Sequence, residues 1–306
     1  MEETVQHFKK RSPKRKQERF GKTISLVATI FIVSIVFSIL FFVASRGLRT
    51  FTEHGVSAID FFAGTAWRPG EVSDAGEPLV GAFPMIAGSF LVTIFSALLA
   101  TPFALGAAIF MTEISPKTGK KYLQPVIELL VGIPSVVYGF IGLTVIVPFI
   151  RQIFGGTGFG VLAATLVLFV MILPTTTSMA VDTLNAVPRY YREASFAMGA
   201  TRWQTIYKVV LRAASPGLLT AVIFGMARAF GEALAVQMVI GNAALVPDSL
   251  TTPASTLTSI LTMNMGNTVL GTLENDVLWS LATILLFMSL FFNILTRWIG
   301  KKGAMK

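Results

Sequence analysis

The chain contains no cysteine, which excludes disulfide bonds, thiolate metal ligands and cysteine-based catalysis. It has only two histidines, His7 and His54, and they lie in different polar stretches that make no metal site. Charged residues are also scarce, at 13% of 306 residues. A soluble protein of this length carries about twice that share. We therefore expect neither a metal nor another cofactor, and the composition argues against a soluble globular domain.

Apolar residues, in contrast, are abundant. Hydrophobic residues make up 53% of the chain, and its mean hydropathy is +0.70. A helix needs about 20 apolar residues to cross the hydrocarbon core of a bilayer. Six stretches meet that length, at 23–45, 85–111, 123–150, 159–181, 215–241 and 277–296. The sequence thus predicts an all-α integral membrane protein with six transmembrane helices.

Basic residues are distributed unevenly around these stretches. Twenty of the 25 lysines and arginines lie in the two terminal tails and in the second and fourth connections, whereas the other three connections hold four. Because lysine and arginine are enriched on the cytoplasmic side, we expect a multi-pass plasma-membrane protein with both termini in the cytoplasm. The net charge of +9 then reflects topology and contact with anionic lipids, and not binding of nucleic acid.

This orientation divides the chain into four parts. Residues 1–22 form a basic cytoplasmic tail, 23–46 a first transmembrane anchor, 47–84 an extracytoplasmic loop and 85–300 a transmembrane core. The first apolar stretch is too long for a signal peptide, so we expect it to be retained. Within the core, residues 183–214 form a cytoplasmic loop.

The cytoplasmic loop 183–214 has the pattern of a helix, a glycine turn and a second helix. The first helix follows Pro188, and Gly199 suits the position just after a helix end, where left-handed backbone is needed. Thr201 and Gln204 have the spacing of a capping box that begins another helix. From spacing alone, a topogenic surface loop and a functional loop are equally consistent with this pattern.

Two charged residues stand four positions apart in the apolar stretch 213–241, namely Arg228 and Glu232. A charge at the bilayer centre costs about 2.5–3.5 kcal/mol on insertion scales, so such residues usually have a function. This spacing places both side chains on one helical face, one turn apart. We expect Arg228 to bind a small oxyanion and Glu232 to offset its charge. The alternative is a structural ion pair that locks the fifth helix against its neighbours.

Hydroxyl groups beside prolines are further candidates for the transport path. Ser135 follows Pro134, and Thr176 lies in the threonine run after Pro174. Both residues are predicted to hydrogen-bond an oxyanion. Alternatively, they satisfy carbonyl groups freed by proline or hold neighbouring helices together.

Several of these segments resemble a known family. The stretch REASFAMGATRWQTIYKVV resembles the EAA loop of binding-protein-dependent ABC importer permeases. Glu193 and Ala194 match that pattern, Ser195 replaces its second alanine and Gly199 is in place, whereas Arg212 stands where the pattern has proline. The stretches IELLVGIPSVVYGFIGL, ARAFGEALAVQMVIGN and TLTSILTMNMGNT resemble phosphate permeases of the PstC type. Within the second stretch, GEALAVQMVIGN resembles the PstC pattern more than that of the PstA-type paralogues.

The resemblance implies a type I ABC importer permease fold and a subunit that translocates inorganic phosphate. It implies that ATP is hydrolysed elsewhere, on an ABC ATPase dimer that docks at Glu193, Ala194, Gly199 and Thr201. The other implied partners are a PstA-type permease and an extracytoplasmic phosphate-binding protein. The sequence agrees, because its one Gly-Lys-Thr run, at 21–23, has lysine at position 16 where a P-loop needs glycine.

In a phosphate permease, Glu232 has a second candidate role. Its carboxylate can accept a proton from HPO4²⁻ or H2PO4⁻, which would favour phosphate over fully ionised sulfate. Two other functions stay open: a permease for sulfate, molybdate or another solute, and a self-contained secondary anion transporter. The second would show inverted repeats, which the sequence does not display. An enzyme is not expected, since no catalytic cluster is present.

Overall fold

The structure is a computed structural model that describes residues 13–73 and 76–304. In this part of the chain, six helices are long and apolar enough to cross a membrane, which confirms the predicted number. We call them spans 1 to 6: Gln17–Thr52, Phe83–Ile114, Ser135–Phe154, Val161–Asn185, Arg202–Phe230 and Leu273–Gly300. The helices that contain the first and last spans run over Pro13–Thr52 and Leu273–Ala304.

Three spans contain a π-helical turn, which widens the helix by one residue per turn. Span 2 consists of an α-helix, Phe83–Ile109, and a π turn, Phe110–Ile114. Span 3 runs as Ser135–Ile141, a π turn at Gly142–Ile146 and Val147–Phe154. Span 5 runs as Arg202–Thr205, a π turn at Ile206–Val210 and Leu211–Phe230.

The third apolar stretch is two helices and not one. A short turn at Pro116–Thr118 and a π turn at Gly119–Leu123 lead into the helix Gln124–Gly132. That helix ends because Ile133 precedes a proline, which disfavours helical backbone at the residue before it. Span 3 then begins at Ser135. The Tyr138 hydroxyl donates to the main-chain oxygen of Leu130 at 2.8 Å and bridges the break.

The connection between spans 1 and 2 contains structure that the sequence analysis did not predict. A short helix, Ala58–Ala63, precedes an antiparallel hairpin of β1, Trp67–Val72, and β2, Pro78–Val80. The connection before span 6 contains the helix Leu257–Asn264 and a 3₁₀ turn, Met265–Asn267. Thr256 begins that helix with a capping box.

The spans pack around two large cores. Spans 2, 3 and 4 bury one of them together with residues 235–240, and Leu168 and Met171 are among its fully buried side chains. Span 6 packs against spans 1 and 5 and the helix Leu257–Asn264 around the other. Spans 2 and 4 share the most extensive helix contact in the described chain. Spans 2, 4 and 5 therefore form the frame that holds the charged residues of the core.

Candidate anion site and docking surface

Arg228 lies in the last turn of the long helix Leu211–Phe230, half-buried in the bundle. Its Nη1 donates a hydrogen bond to the Thr175 hydroxyl of span 4. Among the described residues, no carboxylate lies within 4.0 Å to form an ion pair with it. A guanidinium has five N–H donors in a planar fork, so this side chain keeps donors that can bind an oxyanion.

Glu232 does not share a helical face with Arg228, and that prediction is wrong. The helix ends at Phe230 with Gly231 as its C-cap, so Glu232 lies beyond it and a spacing of four no longer means one turn. The Glu232 carboxylate instead accepts the Ala235 N–H at 3.2 Å, at the start of the short helix Leu234–Gln237. The expected charge pair is therefore not formed in the described structure.

The Glu232 carboxylate also borders a small cavity between the helices. The cavity has a volume of about 10 Å³, which is room for about one water molecule, and four hydroxyl side chains line it beside Glu232. They are Ser89, Thr93, Thr256 and Thr258. The Thr258 hydroxyl donates to the main-chain oxygen of Glu232 at 2.8 Å. Glu232 is thus held by the helix Leu257–Asn264 as well as by its own segment.

The other two predicted path residues have different surroundings. Thr176 is only 2% exposed and packs against Gly225, so in this conformation it belongs to the contact between spans 4 and 5. Ser135 is half-buried at the first position of span 3. Thr175, next to Thr176 in the same threonine run, is the residue that contacts Arg228. Which threonine faces the arginine depends on the rotation of span 4, which the sequence run does not reveal.

The loop 183–214 has the predicted form of helix, glycine turn and helix. The helix Arg189–Ala197 ends in a Schellman motif, in which Gly199 N–H bonds Phe196 O at 2.9 Å and Ala200 N–H bonds Ser195 O at 3.2 Å. Gly199 has φ +77°, as the left-handed position requires. Thr201 and Gln204 form the capping box that begins span 5.

The helix Arg189–Ala197 presents a surface that nothing in the described chain covers. It has no buried residue, and Glu193 and Ala194 are exposed. Large apolar and aromatic side chains are exposed beside them: Tyr190, Tyr191, Phe196, Met198, Trp203 and Tyr207. A hydrogen bond with Tyr191 raises the pKa of the Tyr190 hydroxyl above its ordinary value. Such apolar patches mark interaction sites, and we call this surface the docking surface.

Two arginines that the sequence analysis counted only as topology signals hold this loop in place. Arg192 Nε lies 3.2 Å from both carboxylate oxygens of Glu113, at the end of span 2. Arg202 Nη2 donates to the main-chain oxygens of Glu113 and Ile114. Glu113 and Arg192 are 79 positions apart, so no local pattern could have paired them.

Comparison with known proteins identifies the family to which this chain belongs. Residues 100–302 match the family described as binding-protein-dependent transport system inner membrane component, over more than half of the chain. The chain belongs to this family. It is a multi-pass membrane permease and not an enzyme, as the resemblance of its motifs predicted. Among the described residues, no cluster of three or more His, Asp or Glu residues could hold a metal ion.

Several relatives resemble this permease over most of their length. A probable ABC transporter permease protein of Bacillus subtilis is 53% identical over 283 residues, covering 92% of this chain and 90% of the relative. A phosphate transport system permease protein PstC of Xylella fastidiosa is 31% identical, covering 81% and 80%. A probable PstC protein of Methanocaldococcus jannaschii is 30% identical, covering 92% of each chain.

Solved structures support the same fold for the permease. The MetNI methionine ABC transporter includes a chain with a TM-score of 0.53 and 24% identity, and the match covers 72% of the permease and 94% of that chain. A bacterial alginate ABC transporter gives a TM-score of 0.58 at 15% identity, covering 95% and 99%. At these identities the similarity concerns the fold alone, which is that of an ABC importer permease.

Proposed function

We propose that this permease translocates inorganic phosphate across the plasma membrane as a subunit of an ATP-driven importer. The observation that carries the proposal is the half-buried guanidinium of Arg228, which has no carboxylate partner among the described residues. A lone charge inside a bilayer is costly, and a bound anion offsets that cost. The PstC names of relatives that align with most of the chain favour phosphate as that anion.

Arg228 and Glu232 have separate roles in this proposal. Arg228 presents a planar set of donors that match phosphate oxygens, and Thr175 holds it in orientation. Glu232, beside the hydroxyl-lined cavity, accepts a hydrogen bond from the P–OH group that HPO4²⁻ or H2PO4⁻ carries and sulfate lacks. Ser135 and Thr176 are proposed to meet the anion only when the helices rearrange, since here they lie at a helix start and in a helix contact.

The proposed orientation places both termini and the docking surface in the cytoplasm. Residues 1–22 are the basic tail, of which 1–12 lie outside the described residues, and 23–46 are the anchor. The loop 47–84 faces outward, and 85–300 form the permease core with the coupling loop 183–214. The exposed surfaces of the anchor contact membrane lipids, consistent with the exposed apolar side chains along span 1.

The proposed partners are a PstA-type permease, two ABC ATPases and an extracytoplasmic phosphate-binding protein. The ATPase docks at the surface that contains Glu193, Ala194, Gly199 and Thr201, because this surface is apolar, aromatic and uncovered. ATP binding draws the ATPases together, the docking surfaces follow and the central cavity opens outward. The binding protein then releases phosphate, and hydrolysis returns the cavity to the inward-open state.

The test is uptake by proteoliposomes that contain the whole complex, with and without the ATPase and the loaded binding protein. We expect uptake of labelled phosphate that requires ATP, the ATPase and the binding protein, and that excess sulfate does not inhibit. Preferential uptake of sulfate or molybdate would refute the assignment to phosphate. Uptake by the permease alone would instead identify a secondary transporter.

A further inference from the structure

The Arg192 side chain joins three segments at the cytoplasmic end of the bundle. It belongs to the helix Arg189–Ala197 and binds the Glu113 carboxylate of span 2 through Nε and Nη2. Nη2 donates to Leu184 O at 3.1 Å, in the last turn of span 4, and Nη1 donates to Val187 O at 2.7 Å, two residues after that span ends. One side chain therefore fixes the docking surface to two spans.

The pair between Arg192 and Glu113 is well shielded from water. The exposed fractions of the two side chains are 20% and 9%. A paired guanidinium and carboxylate are directional when both oxygens are bound, and partial burial limits screening by salt. Arg202, beyond the glycine turn, binds the main-chain oxygens of Glu113 and Ile114 as well. Both sides of the docking surface thus hold the same end of span 2.

Span 2 continues from this joint to the cavity beside Glu232. Its other end contributes Ser89 and Thr93 to the cavity lining. The Ser89 hydroxyl also accepts the Leu257 N–H at 2.9 Å, which ties span 2 to the helix Leu257–Asn264. Span 2 is one continuous helical run from Ser89 to Glu113, with Pro102 inside its α-helix and Glu113 in its π turn. We therefore expect a pull on Glu113 at one end to displace these hydroxyls at the other.

We propose that Arg192 and Glu113 are positioning residues that transmit movement of the docking surface to span 2. The proposal rests on the proposed function, because it assumes that an ATPase moves the docking surface. It differs from a role in shaping that surface. In a shaping role, loss of the pair weakens ATPase binding. If the pair transmits movement, its loss leaves the ATPase bound and able to hydrolyse ATP, but hydrolysis is uncoupled from transport.

The first test is Glu113→Gln in the complete complex, with Glu128→Gln as the control. Glu128 is an exposed carboxylate on the helix Gln124–Gly132, so the control makes the same change in charge away from the pair. We expect the ATPase to co-purify with Glu113→Gln and to hydrolyse ATP. Phosphate taken up per ATP should fall by about tenfold, within the usual range for coupling between two sites. Arg192→Lys keeps the charge but loses the planar guanidinium that binds both carboxylate oxygens. It should give an intermediate ratio of phosphate taken up to ATP hydrolysed.

The second test measures movement directly and does not depend on the solute transported. Because the chain has no cysteine, spin labels can be placed only at introduced cysteines, here at the exposed positions Leu98 in span 2 and Phe287 in span 6. We expect ATP to change the distance between the labels in the otherwise wild-type complex, and Glu113→Gln to abolish that change while the ATPase stays bound.

Three results would overturn the transmission role. An unchanged ratio of phosphate to ATP in Glu113→Gln would do so, as would an ATP-dependent distance change that persists in that variant. Loss of the ATPase from the variant would assign the pair to docking instead. Failure of the wild-type complex to take up phosphate, with the distance change intact, would refute the phosphate assignment and leave the transmission role standing.

Discussion

Replacing Gly225 with alanine should disturb the contact between spans 4 and 5 that positions Arg228. A Cβ at residue 225 would lie 2.4 Å from Thr176 Oγ1 but 3.8 Å from Thr176 Cβ. Ordinary van der Waals contacts begin at 3.4 Å. The added Cβ would therefore lie about 1 Å too close to the Thr176 hydroxyl oxygen but at an ordinary distance from Thr176 Cβ. Both residues are buried, which leaves the Thr176 side chain little room to move away.

The size of the effect follows from two opposing contributions. Overpacking a buried contact costs about 1–3 kcal/mol, whereas alanine is favoured over glycine in a helix by about 1 kcal/mol. Because the added Cβ would lie only 2.4 Å from the hydroxyl oxygen, the cost belongs in the upper part of that range, and the net destabilisation should be about 1–2 kcal/mol. Gly225 lies one turn before Arg228 and Thr176 is adjacent to Thr175, so a shift here separates the arginine from its partner. Transport should fall together with stability.

The assay is thermal unfolding of the purified permease in detergent, combined with uptake by the reconstituted complex. Gly225→Ala should lower the unfolding temperature. Adding Thr176→Ala should restore it, because the clashing oxygen is removed, whereas Thr176→Val should not. Gly106→Ala is the control, since nothing lies within 4 Å of its Cβ position. The reasoning is refuted if Gly225→Ala is as stable as the wild type, or if Thr176→Ala and Thr176→Val act alike.

Two further substitutions test other parts of the structure. Gly199→Val should cost about 1–2 kcal/mol because φ is +77°, and it should release the ATPase in co-purification, whereas Gly199→Asn should be tolerated. Retention of the ATPase by the valine variant would contradict the role of the turn. His54→Ala should lower the unfolding temperature by leaving the fully buried Asp276 carboxylate without its partner at 3.1 Å, at a cost of about 1–3 kcal/mol. Asp276→Asn should reduce that loss, and simple additivity of the two changes would argue against the pair.

The number of membrane-spanning helices could be predicted from the sequence, because the length of an apolar stretch directly reflects the thickness of the bilayer. The helix–glycine–helix form of the docking loop could also be predicted, since a left-handed glycine and a capping box are local sequence signals. The end of the helix at Phe230 could not be predicted. Residues 215–241 are apolar almost throughout, and hydropathy does not report where a buried helix ends. Gly231 was the only local sign of a break.

Long-range contacts set the other limit. Glu113 and Arg192 meet across 79 positions, and Arg228 and Thr175 across 53, so neither pair has a signature in sequence spacing. The sequence therefore identified the arginine that makes the candidate anion site but not the side chains that orient it. Likewise, it identified the docking loop but not what ties that loop to span 2.

Uptake by proteoliposomes containing Arg228→Ala tests the central claim most directly. A hydrogen bond to a charged group contributes about 1.5–3 kcal/mol, and about 1.4 kcal/mol corresponds to tenfold in affinity. We therefore predict that uptake at low phosphate concentration falls more than tenfold, with the complex still assembled, while Arg228→Lys retains part of it. The control is Arg297→Ala, which removes an exposed arginine at the end of span 6. Wild-type uptake by an assembled Arg228→Ala complex would contradict the account.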